Sequence, residues 1–149
     1  MRRTIKVSED TYNLLNDEKG NETSLDGAIR RLILAKELLP ENAQLGLQSL
    51  STHAERGVFL AGMLYTSACQ HNWDLQKATR MQVENLNPGN FMKLYTRTVM
   101  ELGEVFEKKA DLERLSEMAS FELLKGDIEA MANEDMRYCF TLGQTLSAK

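Results

Sequence analysis

The chain has 149 residues and a mass of 16.9 kDa, is 42% hydrophobic and 27% charged, and carries a formal net charge of −4. That is the composition of a globular protein, long enough for one ordinary domain or for one small and one mid-sized domain. No apolar run approaches the roughly 20 residues that span a bilayer, two arginines lead straight into a polar stretch where a signal peptide would turn apolar, and Cys69 and Cys139 are too few for a disulfide framework; a cytoplasmic setting is the expectation.

The charge is unevenly spread. Residues 1–40 hold seven basic and seven acidic side chains, and the remainder holds eleven basic and fifteen acidic ones, so the whole excess lies in the C-terminal part. This balance argues against indiscriminate nucleic-acid binding and leaves room for a focused basic site, which Arg2, Arg3 and Lys6 supply.

The first expected element is a strand. In Arg2-Arg3-Thr4-Ile5-Lys6-Val7-Ser8, Ile5 and Val7 fall on one face of an extended segment, and Arg2, Thr4 and Lys6 fall on the other. A lone strand neither buries its apolar face nor satisfies its backbone groups, and no second strand follows. The simplest partner is the same strand of another copy, in an antiparallel ribbon of a size that fits the major groove of DNA. Ser8 then caps a helix over residues 9–19, with Glu9 and Asp10 where the helix dipole favours acids, Tyr12 and Leu15 on its apolar side and Gly20 as its stop. After the polar turn Asn21-Glu22-Thr23, Ser24 caps a second helix over residues 25–39. Its stripe is Leu25, Ala28, Ile29, Leu32 and Ile33, and Pro40 ends it.

Strand, helix, short turn and helix in forty residues resembles the ribbon-helix-helix superfamily of DNA-binding proteins. The residues that carry the resemblance are Thr4-Ile5-Lys6-Val7-Ser8-Glu9-Asp10-Thr11-Tyr12 and Thr23-Ser24-Leu25-Asp26-Gly27-Ala28-Ile29-Arg30-Arg31-Leu32-Ile33. Their wording is similar to small archaeal and bacterial antitoxin-like members. The resemblance covers residues 1–39 and implies that Arg2, Thr4 and Lys6 read base edges. It further implies that Arg3, Thr23, Ser24 and the N–H groups after them hold backbone phosphate, and that Ile5, Val7, Tyr12, Leu15, Ile29, Leu32 and Ile33 form the core of a homodimer. The phosphate role also has a direct physical basis, because a helix start presents exposed N–H groups and the positive end of the dipole to an anion. Gly27 departs from the family pattern and costs the second helix about 1 kcal/mol of propensity.

From Glu41 onward strand alternation disappears and apolar residues recur at three and four. The fold expected is therefore mainly α: a ribbon-helix-helix domain over residues 1–40 and an all-α bundle over residues 41–149. Within the bundle the pattern predicts one long or broken helix over 41–70, in which Gly57 and Gly62 bracket a tightly packing apolar stretch. A helix capped by Asp74 follows to about 86, then a loop at Asn87-Pro88-Gly89-Asn90. Further helices run over about 91–109, from Asp111, and after the Gly126-Asp127 stop.

Candidate sites in this part are sparse. Some ribbon-helix-helix regulators sense metals, but this chain offers only His53, His71, Cys69 and Cys139, with no helix-spaced histidine pair and no close cysteine pair. A buried thiol and a helix-end histidine are the better reading of Cys69 and His71, and no metal or cofactor is expected. The methionines Met63, Met81, Met92, Met100, Met118, Met131 and Met136 fill a bundle core more readily than they line an adaptable groove. Trp73 reads equally as a partner contact or a local plug. Glu101, Glu104 and Glu107 follow helix spacing as a solvated face. No phosphate loop, serine elbow or acid–base constellation is present, so an enzyme is not expected. The function expected is a sequence-specific double-stranded DNA-binding regulator, a repressor acting as a dimer or tetramer, whose helical part adds oligomerisation, a protein partner or effector sensing. The alternatives are an antitoxin whose tail wraps a toxin, and an architectural or partition DNA-binding protein whose helical part assembles filaments or higher oligomers.

Overall fold

A computed structural model describes residues 39–147 of the chain. The ribbon and the two helices expected before Pro40, with the dimer core assigned to Ile5, Val7, Tyr12, Leu15, Ile29, Leu32 and Ile33, lie outside the described residues. Within them every regular element is helical: α1 (Glu41–Gln48), α2 (His53–His71), α3 (Trp73–Glu84), α4 (Pro88–Phe106), α5 (Ala110–Lys125), a 3₁₀ turn (Ile128–Ala130) and α6 (Asn133–Ser147). The all-helical character expected of this part holds over the described residues. No helix among them is long and apolar enough to cross a membrane.

The boundaries differ from those expected, and capping chemistry explains most of the differences; α5 opens at Ala110 without a side-chain cap, and the expected cap Asp111 lies in its first turn. The helix expected over 41–70 breaks at 49–52. There the Ser49 hydroxyl donates to the Gly46 carbonyl at 2.6 Å, and Thr52 Oγ1 accepts from the Glu55 N–H at 3.1 Å as a new N-cap. Hydroxyl side chains offer the backbone partners that compete with helix continuation. Asp74 is not the cap of α3; Asn72 is, accepting from the Asp74 N–H at 3.1 Å, and Asp74 sits in the first turn. Helix α4 starts three residues early. Asn87 accepts from the N–H groups of Gly89 and Asn90, and Asn90 Oδ1 accepts in return from the Asn87 N–H at 3.0 Å. Pro88 takes the first helical position, where its fixed φ and missing N–H cost nothing. After α5, Asp127 caps a single 3₁₀ turn before α6 begins.

Helix α2 is the axis of the bundle. Eleven of its nineteen residues are buried, including Val58, Phe59, Leu60, Met63 and Leu64, the pattern of a helix enclosed on most sides. Around it pack Leu94 and Leu102 of α4, Leu115, Ala119 and Leu123 of α5, and Met136 and Phe140 of α6. The seam with α6 is a backbone contact. A Cβ added to Gly62 would fall on the Phe140 carbonyl, and one added to Gly143 on the Phe59 carbonyl, while Gly57 lies beneath the Leu123 side chain. The tight packing expected around Gly57 and Gly62 is thus a property of the bundle centre, and Gly143 completes it from the other helix. Met63, Met118 and Met136 are core residues, whereas Met81, Met92 and Met100 are exposed.

Candidate functional site

The residues assigned to base reading, Arg2, Thr4 and Lys6, and to phosphate contact, Arg3, Thr23 and Ser24, lie outside the described residues. The helical part contains two polar clusters of its own.

The first is centred on Tyr65. Its hydroxyl lies 2.5 Å from Thr79 Oγ1, and the Thr79 hydroxyl donates to the Leu75 carbonyl at 2.6 Å. A threonine has one hydroxyl hydrogen, so Tyr65 is the donor in the first bond. The arrangement ties α2 to α3 through two buried side chains. Burial pushes the Tyr65 phenol up to about 12, and burial likewise raises the thiol of Cys69, one turn on. Both are held in their neutral forms by burial. Tyr65, Gln76, Gln144 and Trp73 line a groove of about 620 Å³ between α2, α3 and α6, with Lys77, Arg80, Asp74 and Glu84 around it. Trp73 is 82% exposed, so the reading of it as a local plug is excluded. The two basic and two acidic side chains along this groove balance in charge.

The second cluster surrounds Glu122 of α5, which is 3% exposed. His53 Nδ1 lies 2.5 Å from Glu122 Oε2, and Arg56 Nε donates to the same oxygen at 3.4 Å. At that distance Nδ1 carries the hydrogen, so the approach of an Arg56 Nη to Nδ1 at 3.2 Å is a contact between two donors. A further Arg56 nitrogen donates to the Leu50 carbonyl at 3.3 Å. The cluster holds the loop before α2 against α5 and keeps a buried carboxylate compensated, which is the condition for burying it at all. Sequence reasoning missed it, since His53 and Glu122 are 69 positions apart; a polar residue inside the apolar stripe of α5 was the available signal.

The remaining candidates are placed as follows. Cys139 is buried, and its thiol is pushed up to about 12 by burial, with Glu55 and Asp135 adding to the rise. His71 closes α2 and is exposed. No group of three or more histidine, cysteine or acidic side chains close enough to hold a metal ion occurs among the described residues. Of the acidic run, Glu104 and Glu107 are exposed, but Glu101 is half-buried and accepts from Asn72 Nδ2 at 2.9 Å, joining α4 to the α2–α3 junction. When compared with known protein families, curated proteins and solved structures, the chain matches none.

Proposed function

We propose that this chain is a sequence-specific double-stranded DNA-binding regulator, acting as a repressor, whose N-terminal forty residues pair with those of a second copy as a ribbon-helix-helix unit. The single observation that carries the reading is the ordered succession at the N-terminus. Arg2, Thr4 and Lys6 alternate with Ile5 and Val7, and two helix-type sequence patterns, for which Ser8 and Ser24 are the expected caps, follow at short spacing. An alternating strand without a partner in its own chain has a physical need for a second copy. Its outward face then carries a pair of cations and a hydroxyl per subunit, doubled across the two-fold axis, which suits base edges in a major groove.

The helical module supports the reading indirectly. A domain with a buried core is better suited to joining subunits or receiving a partner than to wrapping a toxin as an extended tail. The acidic excess beyond residue 40 also concentrates DNA affinity at the ribbon rather than over the whole surface. The experiment is selection of bound duplexes from a random pool at physiological salt, with the wild-type chain and with Lys6→Ala. The reading requires a recovered consensus whose information content drops at one position in the variant. A pool that shows no enrichment, or an identical consensus from both proteins, refutes it.

A further inference from the structure

Helix α4 presents a face that no other described residue covers. Met92 is 47% exposed and Met100 77% exposed, and Thr96 and Gly103 are exposed between and beyond them. All four lie within one narrow stripe at 100° per residue. Gly103 is the anomaly in that stripe. A Cβ there would meet nothing within 4 Å, so no packing among the described residues accounts for a glycine in the interior of a nineteen-residue helix, where glycine weakens helical structure. The other helix-packing glycines of the bundle, Gly57, Gly62 and Gly143, each sit under a neighbour.

From this pattern we infer that the exposed face of α4 is a homotypic interface, on which α4 of a second copy packs antiparallel about a two-fold axis near residue 98. The order of side chains along the stripe is Met92, Thr96, Met100, Gly103: large, small, large, small. Reversing the direction of the helix turns it into small, large, small, large, so Met92 of each copy meets Gly103 of the other, and Met100 meets Thr96. A parallel pair would set methionine against methionine. The charges select the same arrangement. Lys93 and Glu104 flank one side of the stripe, both exposed, and neither has an ion-pair partner among the described residues. In an antiparallel pair the same flanks face each other, which brings Lys93 of each copy to Glu104 of the other, twice, through one symmetry operation. In a parallel pair the two copies of this flank would lie on opposite sides of the contact, and Lys93 would have no Glu104 facing it. The occupant is therefore a second copy of this chain rather than an unrelated helix.

One helix pair lies at the small end of specific interfaces. The contact is expected to associate with a Kd on the order of 1–100 μM, either reinforcing a dimer made elsewhere or joining two of them. This inference does not rest on the DNA-binding proposal.

The test uses the full chain and sedimentation velocity over a series of concentrations. Lys93→Glu and Glu104→Lys each place like charges together and should weaken the self-association step by about tenfold. The double variant K93E/E104K restores opposite charges and should return it to within about threefold of wild type. Gly103→Met, which meets nothing in its own chain, should fill the seat of the partner's methionine and weaken association without loss of helix. A carbodiimide cross-link gives an independent readout. Lys93 and Glu104 of one chain are ~16 Å apart along the helix, so an amide joining them forms only between chains. A double variant that associates no better than the single ones, unchanged association in all variants, or a sample without the Lys93–Glu104 link would overturn the inference.

Discussion

The α2–α6 seam allows one substitution to be predicted with opposite signs at two positions. In Gly143→Ala the new methyl group lands on the carbonyl of Phe59, with the Met63 N–H group only 3.2 Å away. Both neighbours are backbone of a helix that is itself buried, so neither can rotate aside, and the helices must separate. Alanine gains about 1 kcal/mol of helix propensity over glycine. Overpacking costs ~1–3 kcal/mol, and the upper end applies where the obstacle is backbone rather than a flexible side chain. Separation also forfeits dispersion along the seam, since a gap of 0.5–1 Å removes about a quarter to a half of each contact's well depth. Overpacking wins, and the net effect should be a destabilisation of about 2 kcal/mol. For a chain of this size that lowers Tm by roughly 4–8 °C. In Gly103→Ala the methyl group meets nothing within 4 Å, only the propensity gain remains, and Tm should rise by roughly 2–4 °C. Thermal unfolding followed at 222 nm in dilute solution measures both. A rise in Tm for Gly143→Ala, or the same sign for the two variants, would refute the reasoning that backbone contact, and not local propensity, governs the seam.

Other outcomes are expected from the same physical picture. The fragment of residues 41–149 should fold without the N-terminal forty and give a helical circular dichroism spectrum; a coil spectrum would show that its core needs the rest of the chain. Lys6→Ala should relax base preference at one operator position by roughly 1–3 kcal/mol. Ser24→Ala should instead weaken binding to operator and scrambled duplexes alike, and a titration of both duplexes that found the two variants alike would contradict this assignment. The Tyr65 phenol is raised from 10.0 to about 12 in the folded chain, so the unfolded chain loses this proton first. Its stabilisation is intact below pH 10 and is lost as pH rises from 10 to 12. Tyr65→Phe should remove that share of the alkaline decline, and it should also cost ~1 kcal/mol at neutral pH by taking the donor from buried Thr79. A decline between pH 10 and 12 that is identical in the variant would argue against a buried, donating phenol.

Much of the helical part could be inferred from local pattern, because an amphipathic repeat reports burial within a few turns. Of the stripe Phe91, Leu94, Tyr95, Val99, Leu102, Val105 and Phe106 that predicts α4, Phe91, Leu94, Tyr95 and Leu102 are buried, and Val99, Val105 and Phe106 are half-buried. Helix starts were misplaced where several residues could cap. Asn72 and Asp74, or Asn87 and Asn90, are chemically equivalent candidates, and the choice falls to the residue whose position lets the helix bury Leu75 or Phe91. The polar clusters were out of reach for another reason. Nothing in the neighbourhood of His53 or Tyr65 announces Glu122 or Thr79, since these pairs exist only once α5 and α3 are laid against α2. The candidate DNA-reading residues Arg2, Thr4 and Lys6, by contrast, rest on sequence pattern alone, the alternation and the two helix-type patterns that follow it. Within residues 41–147 the sequence by itself thus determined that the segments are helical and that a glycine-bracketed apolar stretch would pack closely, because both follow from periodicity and side-chain size. Only the tertiary structure decided that Gly143 closes that seam and Gly103 does not, and that Met63 is core while Met100 is surface. Burial on a helix depends on which side its neighbours occupy, and a one-dimensional pattern does not contain that direction.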